Sequence, residues 1–177
     1  MIKQLTAATA ALALAACATY GDDMAMSSDD NVAEVVMMSD SHETLEQLVV
    51  TAGLGDTLMG AGPFTVFAPT DAAFERVPAA QRTALMQPAN REMLRGVLTY
   101  HVVAGNVSSS DLIGMINDNG GSATVTTVQG TPITASLENG NVKLTDATGG
   151  VAYVNAADLN GSNGVVHSIN GVLMPRN

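Results

Sequence analysis

Gly62-Pro63-Phe64-Thr65-Val66-Phe67-Ala68-Pro69-Thr70-Asp71-Ala72-Ala73-Phe74 is the stretch on which the fold turns. A Gly-Pro pair punctuates the chain before Phe64–Ala68. The β-branched and aromatic residues Thr65, Val66 and Phe67 suit a half-buried, pleated strand. Pro69 has no N–H to give a ladder and ends that strand. Asp71 then stands where a helix N-cap accepts backbone N–H groups, with a short helix running through Phe74.

Upstream of this stretch the pattern is helical. Leu45, Leu48, Val49 and Ala52 recur at i, i+3, i+4 and i+7, one face of a helix. Asp40 and Glu43 have capping-box spacing, with Asp in the cap position. Gly53 ends that helix, and Leu54 to Met59 reads as a short second one. Downstream, Pro78 suits the first turn of a helix over Ala79–Met86, and Pro88 opens another carrying Met93, Leu94, Val97 and Leu98. Ser110-Asp111 begins a further one with Leu112, Ile113, Met115 and Ile116 as its apolar face. After Asn119 the texture becomes β. Ala123–Val128, Ile133–Leu137, Val142–Thr145, Val151–Asn155 and Val165–Ile169 are short runs divided by Gly, Asn and Asp, the punctuation of hairpins. Helices first and strands later give an α+β arrangement.

Three stretches resemble the signatures of the fasciclin (FAS1) family. They are residues Gly62–Phe74, then Tyr100-His101-Val102, then Asn163–Pro175, whose core is Asn163-Gly164-Val165-Val166-His167-Ser168-Ile169-Asn170-Gly171. The resemblance implies one FAS1 domain over residues 41–176: a twisted, β-sandwich-like wedge with several short helices packed at one side. The domain is expected to be monomeric. The resemblance also implies a non-catalytic adhesion role, with a protein or a matrix polymer as partner. By the same resemblance Tyr100 and His101, with their apolar flanks Leu98 and Val102, are candidate partner contacts, the alternative being that they determine folding. Asp111-Leu112-Ile113 sits where animal members carry an acidic–apolar adhesion motif.

The beginning of the chain reads as an address. Lys3 precedes an uncharged, small-residue stretch from Leu5 to Ala16, shorter than the roughly 20 residues of a membrane span. Leu14-Ala15-Ala16-Cys17 resembles the cleavage box of bacterial lipoproteins, so residues 1–16 are expected to be a signal peptide and Cys17 the lipid attachment point. Ala18, rather than Asp, favours the outer membrane in the bacterial sorting pattern. Residues 17–40 hold six acidic residues and no base and are expected to be a flexible, acidic tether.

The composition removes whole classes of function. The chain has 177 residues, a formal charge of −10, seven Lys and Arg against 17 Asp and Glu, and one cysteine. An internal disulfide framework and a multi-cysteine zinc site are excluded. So few cations argue against nucleic acid as a partner. No catalytic layout emerges. His42-Glu43 begins like a zinc-protease helix, but Glu46 stands where the second His belongs. Gly53 and Gly55 start a dinucleotide fingerprint that Leu58 breaks. Asp158, Asn160 and Ser162 alternate as in a calcium loop, but Asn163 and Ile169 occupy its Gly and Glu positions. No metal and no cofactor are therefore expected. His42 is expected at an exposed helix start, and His101 and His167 inside the fold against backbone carbonyls. Met59, Met86, Met93 and Met115 are expected in the core, where Met fills gaps. The runner-up function is a periplasmic binder of a small apolar ligand, held between helices and sheet, or an envelope stress protein.

Overall fold

The computed structural model describes residues 30–176. The expected signal peptide, Cys17 and the first part of the expected tether lie outside the described residues. The elements run α1 (Val32–Met37), α2 (Glu43–Ala52), α3 (Gly55–Leu58), β1 (Phe64–Pro69), α4 (Asp71–Glu75), α5 (Ala79–Met86), a 3-10 turn (Pro88–Asn90), α6 (Arg91–Tyr100), β2 (Val102–Ala104) and α7 (Ser109–Asp118). A β-meander follows: β3 (Ser122–Thr126), β4 (Pro132–Glu138), β5 (Asn141–Thr145), β6 (Val151–Gly161) and β7 (Gly164–Ile169). The fold is α+β, and the five expected strand runs of its second half are all present.

Seven strands form one sheet in the order β2-β1-β7-β6-β5-β4-β3. The Gly62–Phe74 stretch and the closing one meet there as neighbouring strands. β1 and β7 run parallel in register from Phe64 opposite Gly164 to Pro69 opposite Ile169, and every other pairing is antiparallel. β6 bends the sheet. Its first residues pair with β5, the rest pair with β7, and two register shifts follow Val154, the local kinking that bulges produce. A bridge between Val103 and Thr127, with the Val128 N–H donating to Val102 O at 2.7 Å, draws the two edges together. The result is a nearly closed wedge. Two glycines are fixed by the β1–β7 pairing: a Cβ on Gly62 would strike the Asn163 carbonyl, and one on Gly164 the Phe64 backbone.

Two apolar cores fill the wedge. One lies under the early helices and contains Val32, Leu45, Leu48, Val66, Leu94, Leu98 and Val166 among others. The other lies between the meander and α7 and contains Phe67, Tyr100, Leu112, Ile116, Ile133, Leu144 and Ile169.

Several expectations are corrected. The stretch expected as tether to residue 40 is folded from Asn31 onward. Asn31 and Glu34 form a capping box, Val32, Ala33, Val35 and Val36 are buried, and the Val32 N–H donates to Asn163 Oδ1 at 2.8 Å. The valine spacing is that of a helix face, and it outweighs the polar composition around it. Asp40 does not cap α2. That helix begins at Glu43, and its Thr44 N–H donates to Asp71 Oδ1 at 2.8 Å, from 27 positions away. Asp71 is thus spent on α2, and Thr70 caps α4. α7 starts before Ser110: Ser108 and Asp111 make its capping box. Met59, Met86 and Met93 are each 47% exposed rather than in the core, because each falls on the outward face of a short helix or its end.

Candidate functional site

The backbone decides where the expected contact residues aim. Tyr100 and His101 are the last residue and the C-cap of α6, so their side chains diverge. Tyr100 turns into the meander core and has no exposed surface. Its hydroxyl donates to Pro132 O at 3.1 Å and accepts the Ala147 N–H at 3.0 Å. Burial raises its pKa. His101 lies between the cores. Its Nε2 accepts the Leu173 N–H at 3.0 Å, which leaves Nδ1 protonated to donate to Val97 O at 2.8 Å. Complete burial pushes its pKa down to about 4, so the ring is neutral at physiological pH.

His101 is one of two clamps on the closing segment. The other is Asp146, whose Oδ2 accepts the Met174 N–H at 2.9 Å, while Oδ1 accepts from Thr148 and from the Gly150 N–H at 2.8 Å. Burial alone would raise the Asp146 carboxyl, but these donors hold it below the usual carboxylate range.

His167 and His42 complete a set of three buried imidazoles. His167 Nδ1 accepts the Asp158 N–H at 3.3 Å, its Nε2 donates to Val107 O at 2.8 Å, and the ring stacks on Phe67. His101 and His167 both meet backbone groups inside the fold, as their apolar neighbours suggested. His42 is a correction: it is only 3% exposed. Its nitrogens lie 2.8 Å from Ser39 Oγ and 3.1 Å from Ser168 Oγ. A helix start packed on β7 is not a solvent position, and burial lowers this imidazole's pKa. Asp158, read as part of a turn rather than a calcium loop, sits at a positive-φ position of β6. Its carboxylate accepts the Ser109 N–H at 2.7 Å and the Ser109 hydroxyl, and these bonds hold its pKa low.

Leu98, His101 and Val102 do come together, as walls of an apolar cleft of about 40 Å3 between α1–α3 and the β1–β2 edge. Ala33, Val36, Leu45, Val49, Leu58 and Phe64 close it. Asp111, Leu112 and Ile113 lie elsewhere, on α7. Asp111 is exposed but occupied in the capping box, Leu112 is buried, and Ile113 is half-buried. The four residues Leu98, Tyr100, His101 and Val102 are therefore corrected as surface contacts: all are buried with their polar atoms satisfied inside the fold.

Sequence reasoning missed Asn163 as the central connector. Its amide donates to Leu58 O at 2.7 Å and Gly60 O at 2.9 Å and accepts from Val32. The pairing of distant signatures gave the only signal, since Asn163 precedes the glycine that lies against Phe64. Among the described residues every buried polar side-chain atom has a hydrogen-bond partner, and no group of three His, Cys, Asp or Glu residues is arranged to hold a metal ion. No helix among them is long and apolar enough to cross a membrane.

The three histidines, Tyr100 and Asp146 of this α+β wedge are turned inward. The fasciclin domain description matches residues 40–175, and this chain belongs to that family. It is 37% identical to protein sll1735 of Synechocystis sp. over 81% of this chain and 97% of that one. It is 38% identical to the cell surface glycolipoprotein MPB83 of Mycobacterium bovis over 69% of this chain, about half (48%) of that protein's length. Among solved structures, the FAS1 domain pair of the insect cell adhesion molecule fasciclin I superposes with a TM-score of 0.73. That match has 17% identity and covers 82% of this chain and 51% of that one.

Proposed function

We propose that this protein is an exported, non-catalytic binding module of the bacterial envelope. It is attached through a lipidated Cys17, with the outer membrane as its seat, and mediates adhesion to a protein or a matrix polymer. The observation that carries this reading is the inward commitment of the signature residues. The three histidines, Asp71, Asp146 and Asp158 are all committed to hydrogen bonds that hold the fold together, including His101 where it walls the apolar cleft. The name of the relative MPB83 supports surface attachment through lipid. Tyr100 and His101 act here as folding determinants, and recognition falls to exposed surface, Asp111 included. Two experiments test it. Metabolic labelling with a radioactive fatty acid should mark the wild-type chain and not Cys17→Ser. Deletion of the gene should reduce surface attachment or cell aggregation, and unchanged attachment would sink the adhesion reading.

The apolar cleft beneath α1–α3 favours a second reading, the binding of a small apolar molecule. Its walls are nearly all apolar and the helices around it are short, so modest movement enlarges it. Native mass spectrometry of gently extracted protein should then find a co-purifying apolar ligand. A mass equal to the bare polypeptide plus its anchor would count against it.

A further inference from the structure

The charge of this domain is split. The described residues contain six bases, and four of them, Arg76, Arg82, Arg91 and Arg95, fall between residues 76 and 95. From 76 to 98 the sole acid is Glu92, already paired with Arg95 at 3.7 Å. The remaining described residues hold two bases against thirteen acids. Arg82, Arg91 and Arg95 thus make the hairpin of α5 and α6 cationic on a strongly anionic body, while Arg76 caps α4 and donates to Asn170 O at 3.3 Å. Among the described residues Arg82, Arg91 and Arg176 form no ion pair.

The same hairpin shows apolar side chains to solvent. Met86 and Met93 are half-exposed, and Pro78, Ala79, Ala80, Pro88 and Ala89 beside them are exposed too. Between α5, α6 and the closing segment lies a groove of about 250 Å3 lined by Leu85, Met93, Val97 and Met174, among others. Arg176 follows directly on its Pro175 wall.

We propose that this face docks peripherally on an anionic phospholipid bilayer. Met86 and Met93 enter the interfacial layer, and Arg82, Arg91 and Arg176 meet lipid phosphates. Adjacent cations and projecting apolar tips are the combination by which peripheral segments hold an anionic surface. The anionic remainder does not prevent this. At physiological ionic strength charges are screened beyond about 8 Å, so only the near face acts on the membrane. The far acids instead fix the orientation, since any other face would be repelled. For its setting the proposal rests on the envelope reading above, but it does not need the lipid anchor. It gives the tethered domain a resting pose on its own membrane.

The test uses residues 18–177, which keep every residue of the described fold and omit the expected signal and anchor. Co-sedimentation with phosphatidylcholine vesicles is compared with vesicles that also contain phosphatidylglycerol. Binding should occur on the anionic vesicles alone and weaken as salt is added. Each arginine neutralised should lower the partition constant about fivefold. R82Q/R91Q should therefore lose about 25-fold, and M86Q/M93Q should also weaken binding. K143Q, which removes a base on β5, should bind as the unmodified chain does. Circular dichroism checks that each variant is folded. No binding to anionic vesicles overturns the proposal, as does an equal loss in K143Q. If vesicle binding holds while fatty-acid labelling of Cys17 fails in cells, the anchoring reading falls and the docking stands. The converse result separates them the other way.

Discussion

Beneath α1, α2 and α3 the core is walled by helices of six, ten and four residues. Single side chains reach across to hold them: Asn163 to α1 and α3, Asp71 to α2, and Arg95 to the Ala52 carbonyl at 2.8 Å. Beside α7 the core is walled by hairpins, and β3–β4 and β4–β5 each pair in unbroken register over five residues. A ladder fixes the spacing of its side chains to the pleat, whereas a one-turn or two-turn helix is marginal alone and takes its position from packing. The helical side keeps an apolar cleft of about 40 Å3, whereas the pocket of about 170 Å3 where α7 meets β5 and β6 is more polar. One half of the domain is a frame and the other is adjustable. Any recognition that needs movement belongs to the adjustable half.

The strongest way to break this contrast is to truncate one side chain in each half. Tyr100→Ala empties the frame and orphans the Ala147 N–H and the Pro132 carbonyl, so it should cost about 3–5 kcal/mol. Leu58→Ala, on a four-residue helix at the cleft wall, should fall at the low end of such changes, about 2 kcal/mol. Urea denaturation measures both. Equal losses would mean the two cores are packed alike.

Acid should act on the junction between the halves. His101 has a folded pKa of about 4 against about 6.5 in an unfolded chain. Its stabilising contribution is complete above the unfolded value and is lost as pH falls toward 4. The full effect is about 3 kcal/mol. Buried His42, shifted the same way, adds to it. Asp71, Asp146 and Asp158 are held low, and their contribution vanishes only below the ordinary carboxylate range. Stability should therefore decline in two stages, and His101→Gln should flatten the first. A profile level from pH 7 to 4 in the parent protein would refute it.

Removing the connector loosens one half selectively. Asn163→Ala strips partners from the Val32 N–H and from the Leu58 and Gly60 carbonyls, and should cost about 1–3 kcal/mol. Hydrogen exchange should rise in α1 and α3 while the β3–β5 ladder stays protected. Uniform acceleration would mean the domain opens as one unit.

The frame was legible in the sequence and the latches were not. Alternating apolar residues such as Ile133 and Ala135 or Val142 and Leu144 mark strands through a local period, and Gly and Asn mark the turns between them. The quoted strand and the closing signature were each visible. Their parallel pairing was not, since nothing local relates Phe64 to Gly164. The same limit explains Asp71, whose position before a helix suggested a local cap although its acceptor serves Thr44 on another element. It explains α1 too: Val32, Val35 and Val36 are buried on that helix, but the core they join comes from distant parts of the chain, and the acidic composition around them reads as a tether. His42 failed for a related reason, since exposure at a helix start depends on which strand lies opposite. Candidate contacts fared least well. A signature marks what the fold requires, and Tyr100 and His101 are required inside.

The finest test places the same two methyl groups in each half. Ala33 lies on α1 at the wall of the cleft, and Ala135 is fully buried on β4, opposite Leu144. Ala135→Val has no space to occupy and must displace a ladder-bound neighbour, a cost of about 1–3 kcal/mol. Ala33→Val enters space already present. The gain from added contacts is offset by the lower helix propensity of a β-branched residue, roughly half a kcal/mol, so stability should hardly change. If the cleft admits an apolar molecule, Ala33→Val should also weaken the binding of an environment-sensitive apolar dye, which Ala135→Val should leave alone. A large loss from Ala33→Val would show α1 to be as rigidly held as the meander, and the division into frame and adjustable half would fail at that helix.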